Sequence, residues 1–258
     1  MIHKRFLIVV EGEKTEPTLF KAIFEKYGFT VHISPQMPLT NFRVEEYFIN
    51  DSEVTIIQGP RNRIGEFLKK YNSQSTDLNK IFKLSGEIFA GIFIIYDVDH
   101  ASNNDLSDLF DIFDNESDGL LLVSSPCIEV LSDIKRNEEL KCEHLSEYKR
   151  LLNKTLNKRY GLSSKDYIKS NFEELIIETL EKNTKDFNSN NVMEHPSLVI
   201  ELINKHNIRH NVKNNTYVIY RYFTTVIYVA IAYILNLTKE IENVNIVKEF
   251  FKKQIKKI

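Results

Sequence analysis

Three carboxylates stand where chemistry is easiest to build. Glu11 directly follows the apolar run FLIVV at residues 6–10, and Asp97 and Asp99 directly follow IFIIY at residues 92–96. In a parallel sheet the carboxyl ends of all strands open onto one edge, where ligands bind, so residues far apart in sequence can meet there. Asp97 and Asp99, two positions apart, point the same way for as long as the extended geometry lasts. Three carboxylates on one rim repel each other unless a cation neutralises them. Oxygen donors with no His or Cys partner suit Mg2+ or Mn2+, and such a cation activates water and offsets charge on a phosphodiester. Lys14, Arg61 and Arg63 follow strand ends on the same expected rim and are candidate phosphate contacts. Lys149, Arg150, Lys154, Lys158 and Arg159 crowd one predicted helix and form a second basic group. Cys127, beside Pro126, has no His placed to activate it and reads as a small buried residue. Taken singly, Glu13 and Glu16 read as surface residues. No P-loop or glycine-rich nucleotide fingerprint occurs.

The elements that must position these groups alternate. Residues 6–10 read as a strand buried on both faces, and Leu19, Phe20, Ile23, Phe24 and Tyr27 repeat at helical spacing until Gly28. Residues 54–57 (VTII) predict a second strand, followed by a helical stripe at Ile64, Phe67, Leu68 and Tyr71. Residues 92–96 are the strongest strand of the chain, followed by a stripe at Leu106, Leu109, Phe110 and Phe113. Residues 120–123 give a fourth strand, closed by Ser124-Ser125-Pro126. This alternation predicts a parallel, doubly wound α/β sheet over residues 1–135. Residues 29–52 fit it least well and read as an irregular insertion.

From residue 136 to 258 the expectation is a mostly helical part, serving nucleic-acid or partner binding or dimerisation. Stripes run over Leu145 to Leu156, over Phe172 to Leu180 (opened by a capping pair, Ser170 and Glu173), and over Leu198 to Ile203. Residues 217–235 are long and apolar, but Arg221, Thr224 and Thr225 interrupt them, so a buried helix or a dimer interface is expected rather than a membrane span.

The chain has 258 residues and two cysteines, Cys127 and Cys142, which excludes a disulfide framework and a zinc-ligand spacing. Its opening residues carry too short an apolar run for a signal peptide, and a cytoplasmic setting is expected. Net charge is −2 overall, but residues 1–135 carry 13 Lys+Arg against 21 Asp+Glu, net −8, and the remainder 21 against 15, net +6. An acidic part suited to cations is joined to a basic part suited to a polyanion.

The wording LIVVEGEKTEPTLF, with IFIIYDVDH further on, resembles the Toprim domain of topoisomerases, primases and nucleases of the overcoming-lysogenization-defect type. EGEKTEP early and SSPCIEVL late are closer to the RloB-like branch, associated with restriction and phage-defence loci. The resemblance covers roughly residues 5–135; the aromatic-rich continuation expected after Pro-Cys-x-Glu is missing. It implies a catalytic role for Glu11, metal ligation by Asp97 and Asp99, a further acidic contribution from Glu129, and a second metal position involving Glu16. The implied activity is metal-dependent hydrolysis of DNA or RNA in antiviral defence. The chain is too short for a full topoisomerase or primase. A regulatory sensor such as an ATPase and a second copy of the chain are the protein partners this reading admits. Two alternatives stand beside it. A haloacid-dehalogenase-like phosphatase also uses Asp-x-Asp after a strand, but after its first strand, which leaves Glu11 unexplained. A non-enzymatic Toprim-like scaffold would keep the carboxylates as structural groups.

Overall fold

The computed structural model describes residues 5–11, 15–34, 52–58, 89–97, 103–115, 117–125, 127–133, 140–142, 145–187, 208–211, 216–219, 223–224 and 249. The fold is mixed α/β around a mostly parallel sheet. Its central strand β1 (Phe6–Val10) is buried along its whole length. It pairs in parallel with β3 (Val54–Gln58) on one side and β4 (Gly91–Asp97) on the other, and β2 (Val31–Ser34) pairs in parallel with β3. Among the described residues the order is β10-β6-β4-β1-β3-β2, with β6 at Gly119–Ser125 and β10 at Phe223–Thr224; β5 (Asp114–Asn115) forms a hairpin with β6. Wholly apolar strands such as FLIVV and GIFII suit a sheet covered on both faces, because no residue along them tolerates water.

Helix α1 (Thr15–Lys26) buries Leu19, Phe20, Ile23 and Phe24 on one stripe. Its end follows from one glycine. Gly28 adopts φ 88°, its N–H donates to the Glu25 carbonyl, the Phe29 N–H donates to that of Phe24, and the Phe24 and Phe29 rings meet edge to face at 5.7 Å. That is a Schellman stop with its hydrophobic contact, and it needs a residue without a Cβ penalty at positive φ. Helix α2 (Asn103–Ile112) buries Leu106, Leu109 and Phe110.

The chain divides into two compact units, Met1–Tyr96 with Ala101–Leu122, and Asp97–His100 with Val123–Ile258. The division runs through β4 and β6, giving Asp97 to the second unit, whereas the sequence suggested a change of character near residue 135. In that second unit β6 leads into a 3-10 turn (Ile128–Asp133). Helices α3 (Leu145–Tyr160), α4 (Ser164–Ser170) and α5 (Phe172–Phe187) follow. Both α4 and α5 lie against the 3-10 turn. Tyr148, Leu152 and Leu156 form the buried stripe of α3, and Tyr167, Ile168, Phe172, Leu175 and Ile176 continue the core.

Buried Tyr148 donates its hydroxyl to Asp133 Oδ2 at 2.9 Å, fixing the first turn of α3 to the end of the 3-10 turn. Tyr148→Phe keeps the ring and removes that donor from a buried carboxylate. It is expected to lower unfolding free energy by about 1–3 kcal/mol in urea titration, against almost no change if water replaced the phenol.

Several expectations are corrected. Among its described residues the second part is helical over most of residues 145–187, but it also holds strands that the sequence did not suggest: β7 (Leu140–Cys142), β9 (Thr216–Ile219) and β8 (Ile208–Asn211) form an antiparallel sheet in that order. Where a buried helix or a dimer interface was expected over residues 217–235, residues 217–219 and 223–224 belong to β9 and β10; residues 220–222 and 225–235 lie outside the described residues. Tyr217, Val218 and Ile219 are strand-favouring types, and a short apolar run carries no period that separates strand from helix. β2 falls inside the stretch read as an irregular insertion. Ser170 is the last residue of α4; a cap is instead at Ser163, whose Oγ accepts the Asp166 N–H and donates to its carboxylate. The stripes at residues 64–71 and 198–203 lie outside the described residues.

Candidate metal centre

The site is assembled inside the second unit from the last residue of β4 and the segment that follows β6. Asp97 ends β4 with its side chain buried. Residue Ile128, opening the 3-10 turn, donates its backbone N–H to Asp97 Oδ1 at 3.0 Å. That bond fixes the carboxylate and also sets its neighbours on the turn, because residues 127 and 129 flank the donor. Cys127, Asp97 and Glu129 thereby bring one sulfur and two carboxylate oxygens within 4.8 Å of one another, all three residues buried.

Helix α3 adds a cation. Lys149 Nζ lies 3.7 Å from Asp97 Oδ2 and 3.4 Å from Glu129 Oε2. Two ionised carboxylates within 4.8 Å of each other repel by roughly 3–4 kcal/mol at an effective dielectric of about 20. The Lys149 ammonium offsets that repulsion. Its side chain is 39% exposed, whereas Glu129 is only 7% exposed. Glu129 Oε2 accepts no hydrogen bond; the Lys149 ammonium faces it at ion-pair distance, outside hydrogen-bonding geometry. Burial, then the Glu129 and Asp97 carboxylates, push the Cys127 thiol well above its ordinary range, while Lys149 pulls the other way. Without a cation other than Lys149, Cys127 is therefore a neutral thiol at neutral pH.

A divalent cation fits this donor set: it would add a second positive charge beside two buried carboxylates and give Glu129 Oε2 the partner that hydrogen bonding leaves out. The residues that would hold it are Asp97 and Glu129, with Cys127 at the same point.

Of the residues singled out in the sequence, Asp97 and Glu129 come together. Glu11 follows β1, half-buried, and Glu16 is buried in the first turn of α1; both belong to the first unit. Asp99, Lys14, Arg61 and Arg63 lie outside the described residues. Lys154, Lys158 and Arg159 are exposed on α3, with the Arg159 guanidinium 5.3 Å from the Tyr160 ring centroid. Two residues carry more than the sequence suggested. Cys127 adds sulfur to a group expected to be oxygen-only, and its place two residues past the end of β6 and two before Glu129 was the available signal. Lys149, grouped with the phosphate contacts, faces the carboxylates, and no local signal separates it from the other lysines of its helix.

Comparison of the chain with protein-family models, with curated proteins and with solved structures gives no match. No helix among the described residues is long and apolar enough to cross a membrane.

Proposed function

We propose that this chain is a divalent-cation-dependent nuclease of the Toprim type, hydrolysing phosphodiester bonds of DNA or RNA, and that it serves antiviral defence as the RloB-like wording implies. The observation that carries the reading is the buried Asp97–Glu129 pair at a strand end, with a carboxylate oxygen that accepts no hydrogen bond. When bound, a divalent cation supplies charge neutralisation on the phosphate and an activated water.

The chain's own groups have separate tasks in this scheme. Asp97 and Glu129 hold the cation, with Asp97 oriented by the Ile128 N–H. Lys149, on a long and half-exposed side chain, balances the carboxylates before the cation arrives and is then available to a phosphate oxygen. By the Toprim resemblance alone, Glu11 takes a catalytic role and Asp99 and Glu16 take further metal contacts. The basic residues of α3 hold the polyanion. Arg150, Lys154 and Lys158 recur every fourth position and are exposed, which aligns them along one face.

The deciding experiment incubates the purified chain with plasmid, single-stranded DNA, total RNA and tRNA in Mg2+, Mn2+, Zn2+, Co2+ or EDTA. Cleavage of at least one polynucleotide that EDTA abolishes is the expected result; no cleavage of any substrate in any of these metals would reject the reading. Replacing Lys154, Lys158 and Arg159 together is expected to weaken binding on every sequence and to flatten its salt dependence by up to about three phosphate contacts. An unchanged salt slope in that variant would remove α3 from the interface.

One observation favours a second reading, a non-enzymatic scaffold: Lys149 already neutralises the carboxylates from within the chain. That reading requires stability and partner binding to be indifferent to EDTA and to divalent cations.

A further inference from the structure

Resting on the cation site proposed above, we infer that Cys127 is a sulfur donor to that site and makes it select thiophilic, borderline cations over Mg2+. The carboxylates alone would make the site hard. Asp97 and Glu129 offer only oxygen, and hard oxygen donors with water suit Mg2+. Cys127 changes the donor set, because its sulfur lies within 4.8 Å of an oxygen from each carboxylate. Soft thiolate favours Zn2+, Cd2+ or Co2+, and in mixed sites such cations outrank Mg2+ and Mn2+.

Two features of one contact mark this point as a place for positive charge rather than an incidental buried thiol. Glu129 Oε2 is buried without a hydrogen bond, and the Lys149 ammonium is held against both carboxylates. A thiol that served only as packing would be expected among apolar groups. Cys127 instead shares its surroundings with two carboxylates, which raise the cost of its ionisation until a metal shares the charge. On coordination the sulfur–hydrogen bond breaks, the proton leaves to bulk water and the sulfur lone pair binds the cation, so one proton is released per ion and no oxidant or reductant is involved.

The chain holds two cysteines, so Cys142→Ser leaves Cys127 as its sole thiol. Titrating that full-length variant with Co2+ is expected to produce a near-ultraviolet thiolate-to-cobalt charge-transfer band that saturates at one ion per chain. Cys127→Ser is expected to lack the band and to lose the preference for Cd2+ over Mg2+ by about tenfold or more in calorimetry. Co2+ binding to folded Cys142→Ser without the band overturns the sulfur assignment and leaves the nuclease reading standing. Absence of any divalent-cation binding overturns both. Should Cys127→Ser fail to fold, the band in Cys142→Ser still decides, because no other thiol could give rise to it.

Discussion

Asp97→Asn is expected to abolish the stabilisation that divalent cations give this chain, and with it any cation-dependent hydrolysis, while leaving the fold intact. The asparagine side-chain oxygen can still accept the Ile128 N–H, which donates to Asp97 at 3.0 Å. The contact that shapes the turn therefore survives. The charge does not, and one of the two carboxylates at the site becomes a neutral amide. Free cation at 100 times its dissociation constant stabilises a folded chain by about 2.7 kcal/mol; a variant binding roughly a hundredfold more weakly would gain only about 0.4 kcal/mol at the same concentration. Melting curves of wild type and variant with Mn2+, Zn2+ and EDTA measure the difference directly. An equal rise in melting temperature for both proteins would remove Asp97 from the cation site. Asp97 is not itself a phosphate contact; it faces Lys149 of α3, which asparagine leaves free for a phosphate oxygen, so polynucleotide binding measured in EDTA is expected to be at or slightly above the wild-type value.

Lys149→Met is expected to act with the opposite sign on cation affinity. The substitution keeps an apolar stem of similar length and removes the charge that faces Asp97 at 3.7 Å and Glu129 at 3.4 Å. Removing one partner of a fully buried pair typically costs 3–5 kcal/mol, but Lys149 is 39% exposed; discounted for solvent screening, about 1–3 kcal/mol is the appropriate scale in EDTA. A divalent cation should recover most of that loss, because it supplies the missing charge. It should also bind more tightly than to wild type, because the ammonium no longer competes for the carboxylates. Urea unfolding with and without Zn2+ tests both statements. The same destabilisation in both conditions would show that Lys149 and the cation do not share a site, and would favour the scaffold reading.

The strands were legible because their physics is local. FLIVV and GIFIIY are apolar at every position, so they name themselves as strands covered on both faces, and Asp97 is conspicuous because it ends one of them. Helix α1 was legible from its stripe and its glycine. Glu129 could be read only through the wording around it. Lys149 could not be read as a site residue at all: it reaches Asp97 from a separate helix, and five lysines and arginines on that helix look alike in sequence. The sheet β7-β9-β8 failed for a related reason. It pairs Leu140 with Ile219, a separation that no periodicity window spans, and strands as short as these carry little pattern of their own. The Toprim wording is a different kind of signal, since it bears on activity through likeness to other chains rather than through contacts within this one.

The hydrogen bond between Tyr148 and Asp133 has a consequence for inheritance. Tyr148 and Lys149 are adjacent on a helix, so they point about 100° apart, one fastened to the end of the 3-10 turn and the other meeting the carboxylates. The turn that holds Asp133 is the same turn that carries Glu129. A substitution at 133 or 148 therefore disturbs the register between a ligand-bearing turn and its counter-charge, although neither side chain is assigned to the cation. In a library of single substitutions, positions 133 and 148 should tolerate change almost as poorly as 97 and 129. Drift in this lineage would thus be narrow in the identity of the first turn of α3, well beyond the residues that meet the cation.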